Sequence, residues 1–102
     1  MDERLDIIKV ILEKHKGERN KITSAQIAEA IGIHEDDTHS QTRALILECA
    51  TVYKLPLAAD NRGYHLMMDE SELDEYMKNL DSRIAGITKR KNIIAENFKE
   101  TK

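Results

Sequence analysis

The sequence predicts a mainly α-helical chain with one small β-hairpin and a long C-terminal helix. Three observations lead there. Apolar residues recur at three- and four-residue spacing in stretches before residue 55. The turn residues Asp60, Asn61 and Gly63 separate two short apolar runs, as in a hairpin. From Ser71 onward a seven-residue apolar repeat runs almost to the last residue. A chain of 102 residues has room for one small globular domain. Residues 1–68 are expected to form it, and residues 69–102 to be a helical extension used for dimerisation.

Leu5, Ile8, Leu12 and His15, with Ile7 and Ile11 beside them, fall on one side of a first helix over residues 2–16, ended near Gly17. Arg4, Lys9 and Glu13 occupy its other side. A polar connection follows, in which Lys21 and Ile22 form a short strand edge. Thr23 or Ser24 supplies the N-cap of a second helix, whose apolar face is Ala25, Ile27, Ala28 and Ile31. Gly32 stops that helix, and Ile33 follows as a buried turn residue.

His34, Glu35, Asp36, Asp37, Thr38, His39 and Ser40 make a polar loop, with Thr38 or Ser40 able to cap a third helix over residues 41–54. Leu45, Ile46, Cys49, Val52 and Tyr53 form its buried side, and Thr42 and Arg43 lie in its first turn. Pro56 ends it, because proline lacks the N–H that would continue the ladder and restricts Leu55 before it. Residues 57–59 and 64–67 are the hairpin strands, and strand alternation turns Tyr64 and Leu66 inward together.

Ser71 is expected to cap the last helix. Leu73, Leu80, Ile87 and Ile94 repeat every seven residues, and Met77, Ile84 and Phe98 fall four after each, with Lys91 the one break. This is a coiled-coil seam. About 28 residues at 1.5 Å each span roughly 42 Å, more than so small a domain can cover. The helix therefore either bends near Gly86 and folds back, or gives its seam to another chain. Residues 69–82 carry a net charge of −5 and residues 83–102 a net charge of +4, which favours antiparallel pairing of two copies.

Composition narrows the function classes. The 16 Lys and Arg against 19 Asp and Glu give a net charge of −3, the wrong sign for holding nucleic acid by bulk electrostatics, so any DNA contact is local. A single cysteine, Cys49, excludes an intramolecular disulfide and a multi-thiolate zinc site, and suits a reducing cytoplasm. The charged start and the absence of a long apolar run predict a soluble protein with no signal peptide and no membrane partner. Nothing resembles a P-loop, a nucleophile elbow or a paired-carboxylate site, and no base accompanies Cys49, so neither an enzyme nor a cofactor is expected. His34, Asp36, Asp37 and His39 could present nitrogen and oxygen ligands to a metal, but they lack a fixed helical spacing, and no metal site is assigned.

Helix, short edge, helix, turn, helix and two-stranded wing is the element order of a winged helix-turn-helix. The sequence also resembles small winged-helix proteins of bacteriophages and prophages. The resemblance is carried by Ile22-Thr23-Ser24-Ala25-Gln26-Ile27-Ala28, by Thr42-Arg43-Ala44-Leu45-Ile46, by Leu55-Pro56 with Gly63-Tyr64, and by Leu73 to Tyr76 followed by Leu80 to Arg83. It covers about residues 20–92 and implies a DNA-binding fold without a defined biochemical role.

In such a fold the third helix enters the major groove and its first residues meet base edges. Gln41, Thr42 and Arg43 stand there, and Arg and Gln can each form two parallel hydrogen bonds to a base edge. Lys21, Ser40, Lys54, Asn61 and Arg62 are expected to contact phosphates or to act from the wing. The dimer seam is Leu73, Met77, Leu80, Ile84, Ile87 and Ile94. The structural alternatives are that Gln41 and Thr42 only cap the helix, that Arg43 pairs with Asp36 or Asp37, and that the wing is a solvated hairpin. Lys89, Arg90 and Lys91 are read as a solvated helix face. The expected function is sequence-specific binding of double-stranded DNA by a homodimer, as a phage-type transcriptional regulator or a replication or accessory factor. The rival is a protein-interaction module of the same shape that binds and inhibits a host protein, favoured by the net acidity and the acidic loop.

Overall fold

In the computed structural model, residues 2–35 and 39–101 are described. The chain divides into two compact units, Met1–Met68 and Asp69–Lys102.

The first unit opens with helix α1 (Glu3–Glu13). Asp2 caps it by accepting the Arg4 backbone N–H at 2.9 Å, and the Arg4 guanidinium returns to the same carboxylate at 2.7 Å. Leu5, Ile8 and Leu12 are buried, one per turn. The helix stops three residues short of the expected Lys16 because the chain there pairs with the hairpin. The His15 carbonyl accepts from the Leu66 N–H and the Gly17 N–H donates to the Leu66 carbonyl, both at 2.9 Å. His15 is only half-buried, with Nδ1 donating to the Asn20 carbonyl at 2.8 Å. Ile7, expected beside the apolar face, is exposed.

A short 3-10 turn (Glu18–Asn20) leads to α2 (Ser24–Ala30). Thr23 is the cap: its hydroxyl accepts from the Gln26 N–H while the Gln26 side chain accepts from the Thr23 N–H, a reciprocal capping box. Ile27 and Ala28 are buried but Ala25 is exposed, so the apolar face is narrower than expected. Gly32, with φ of 73°, ends the helix and lets the Ile33 N–H reach the Ala28 carbonyl.

Helix α3 (Ser40–Tyr53) buries Thr42, Leu45, Ile46, Cys49 and Ala50. Val52, expected on that side, is exposed, and Ala50 takes its place. The helix ends at Lys54, which adopts a left-handed conformation (φ 53°), and the Leu55 N–H bonds back to Ala50. Termination thus precedes Pro56, which only follows the reversal.

Strands β1 (Leu57–Asp60) and β2 (Gly63–Leu66) form an antiparallel hairpin with Asn61 and Arg62 as its two-residue loop. Ile22 joins the free edge of β2, exchanging bonds of 2.9 and 2.7 Å with Tyr64. Gly63 makes this approach possible: a Cβ there would lie 2.5 Å from the Ile22 carbonyl oxygen. Leu66 is buried and Tyr64 is half-buried against the core. His65, which alternation turns to the other face, is buried as well, with no hydrogen-bond partner for Nδ1 among the described residues. The core joins Leu5, Ile8 and Leu12 of α1 to Ile27, Ile46, Cys49 and Leu66.

The second unit is helix α4 (Glu70–Glu100), 31 residues long. Its cap is Asp69, which accepts the Glu72 N–H at 2.9 Å, so Ser71 lies inside the first turn. The helix runs unbroken through Gly86, so α4 does not fold back on itself there. None of its described side chains is buried. Among the described residues no helix is long and apolar enough to cross a membrane.

Candidate functional site

The head of α3 is fixed from outside the helix. His39 stands at the N-cap position in a left-handed conformation and makes no side-chain cap bond. Ser40 does not cap either. Instead Glu35 reaches over: one carboxylate oxygen accepts the Gln41 N–H at 2.7 Å, and the other accepts the Thr42 N–H at 2.9 Å and the Thr42 hydroxyl. The Thr42 hydroxyl, the two backbone N–H groups and the nearby His39 all favour the charged form, so the Glu35 carboxyl is held below its usual range. Thr38, the other expected cap, lies outside the described residues.

This arrangement revises the expected base-reading triad. Thr42 is fully buried and its hydroxyl is committed to Glu35, so it is not available to a base edge. Gln41 and Arg43 remain exposed. Two residues apart, they are about 200° apart around the helix. Between them the outward face of α3 carries Ser40, Ala44, Leu47, Glu48 and Thr51, all exposed, with Leu47 at 65 %. Leu47 and Ala44 escaped the sequence reading because an apolar residue is expected inside; the only signal was their position across the helix from the buried Cys49.

Arg43 opens onto a cleft of about 390 Å³ shared with the start of α2 (Thr23, Ser24) and the hairpin (Asp60, Asn61, Arg62, Gly63, Tyr64). Arg62 also lines a second cleft, of about 590 Å³, with Glu18, Arg19 and Lys21. The capping box and the Ile22–Tyr64 pairing thus bring α2, α3 and the hairpin tip to one surface.

Lys21 is engaged within the protein. Its ammonium lies 2.6 Å from Asp60, and its side chain is only 15 % exposed. The Asp60 carboxyl, which also accepts the Arg62 N–H at 2.8 Å, is held below its usual range chiefly by Lys21. Lys21 therefore drops out of the expected phosphate contacts, and what it contributes is the neutralisation of Asp60. Among the described residues no ion pair engages Arg19, Arg43 or Arg62. Arg19 was missed in the sequence because nothing there links it to the hairpin tip.

Lys54 sits at the far end of α3, about 16 Å along the axis from Arg43 at 1.5 Å per residue, and outside both clefts. The pairing of Arg43 with Asp36 or Asp37, and the metal-ligand reading of those acids with His34 and His39, lie outside the described residues. Cys49 is buried, its Sγ donating to the Leu5 carbonyl at 3.3 Å, and burial pushes its thiol up. Comparison with protein-family models, with curated proteins and with solved structures finds no significant match.

Proposed function

We propose that residues 2–68 are a winged helix-turn-helix that binds double-stranded DNA with sequence preference, α3 lying in the major groove and the hairpin tip acting as the wing. One observation carries this reading. Arg43 from α3 and Arg62 from the hairpin tip open onto one cleft whose carboxylate, Asp60, is already neutralised by Lys21. The lining of that cleft is locally cationic although the chain as a whole is acidic. Arg43 has the side chain suited to guanine and Gln41 the one suited to adenine, while Arg62 and Arg19 are placed for phosphates. Two copies joined through α4 would present two such surfaces to a two-fold site, in the manner of a phage-type transcriptional regulator or a replication accessory factor.

Selection of bound duplexes from a random pool, at low and near-physiological salt, tests this. Enrichment of a motif that an Arg43→Ala variant loses supports base reading from α3. No enrichment at either salt with folded protein overturns it. The exposed Leu47 in the middle of α3 favours a second reading, in which the same face docks on a protein. That contact would survive added salt, whereas phosphate binding weakens steeply.

A further inference from the structure

We propose that α4 pairs antiparallel with α4 of a second copy, in one register centred on the Ala85–Gly86 bond. This deepens the two-copy part of the proposed function and is independent of duplex binding. A helix of 31 residues with no buried side chain leaves its apolar stripe in water: Ile84 and Ile87 are each 61 % exposed and Ile94 is 59 % exposed. Such a stripe at heptad spacing is stable when a second helix covers it.

Two features point to a second copy and fix its direction, and a third fixes the register. The first is charge. Residues 69–82 carry −5 and residues 83–102 carry +4, so parallel copies set like against like along the whole length, whereas antiparallel copies set each half against its opposite. The second is Lys91, the one charge in the seam. In a parallel pair it would face Lys91 of the second copy inside an apolar interface; in the antiparallel pair it faces Leu80, beside Asp81.

The third is overlap. Setting Ile84 against Ile87 of the second copy also sets Met77 against Ile94 and Leu73 against Phe98, and this symmetry centre falls within one residue of the midpoint of Glu70–Glu100. The two helices then overlap end to end with no seam residue left over. Gly86 lies off the seam, with open space where a Cβ would stand.

The test uses the full chain. Leu73→Cys and Phe98→Cys proteins are prepared separately and then equilibrated alone and mixed in a glutathione redox buffer; buried Cys49 takes no part. Mass spectrometry is expected to find the mixed disulfide as the dominant dimer, with little self-cross-linking of either protein alone. The pair Met77→Cys and Ile94→Cys repeats the test in a different layer. Sedimentation equilibrium of the unaltered protein is expected to give a dimer whose dissociation constant rises several-fold between 50 and 500 mM salt on the order set by charge screening. Self-cross-linking of each single variant would mean a parallel pair and would overturn the orientation. A monomer mass, or a dimer that cross-links in neither layer, would overturn the pairing itself and leave duplex binding by one copy standing.

Discussion

Glu35 grips Thr42 twice, through the backbone N–H and through the hydroxyl, and so anchors the first turn of α3 to the preceding loop. A carboxylate in this place satisfies amides that would otherwise lack partners and lies favourably in the helix dipole. One acid of the loop that the sequence counts toward a protein-binding face is instead spent as a cap within the chain.

The cap makes stability depend on pH in a definite direction. The Glu35 carboxyl is depressed in the folded state relative to its ordinary value of 4.5, so its contribution is fully present above that value and disappears as pH falls through the folded value. Asp60, depressed by Lys21, and Asp2, pulled down to about 2 by Arg4, act in the same sense. Urea unfolding of a Glu35→Gln variant is expected to show lower stability at pH 7. The gap to the unaltered protein should be constant from pH 7 to 5.5 and should narrow below pH 4.5. A gap that widened with acid would contradict the cap.

Two glycines are expected to respond oppositely to alanine. Gly63 has φ of 138°, and a Cβ would meet the Ile22 carbonyl oxygen at 2.5 Å. Gly63→Ala must therefore break the Ile22–Tyr64 pairing or distort the hairpin, at a cost of about 3 kcal/mol. Gly86 is helical with nothing within 4 Å of its added Cβ. Gly86→Ala should stabilise α4 by about 1 kcal/mol, the propensity difference in an exposed helix. Chemical denaturation checks the first and the helical signal of α4 on heating checks the second.

Much of this architecture is legible because it rests on local chemistry. The Thr23 cap, the Gly32 stop, the hairpin turn, the buried row of α1 and the Leu45, Ile46 and Cys49 part of the α3 face follow from short-range spacing and turn residues. What escaped depends on contacts distant in sequence. Residues 14–16 keep helical composition, yet pairing with Leu66 draws them out of α1. Lys21 looks like a free cation until Asp60, 39 residues later, is brought to it. Thr42 looks like a surface residue until the packing of α3 turns it inward to Glu35. Cys49, by contrast, was legible as core, and its thiol is expected to react with Ellman's reagent only on unfolding.

The two arginines of the cleft are expected to respond differently to substitution. Arg43 projects from α3 and Arg62 from the hairpin loop onto the same cleft, and the proposed reading gives the first to base edges and the second to phosphates. Arg43→Ala should lower affinity for the selected duplex by about tenfold to a hundredfold and relax preference at one position, leaving binding to unrelated sequence nearly unchanged. Arg62→Ala should instead weaken all duplexes alike and reduce the slope of log affinity against log salt by about one. Fluorescence anisotropy titrations over a salt series give both quantities. If the two variants behaved identically, α3 would not be reading bases, and the cleft would act only as a cationic contact.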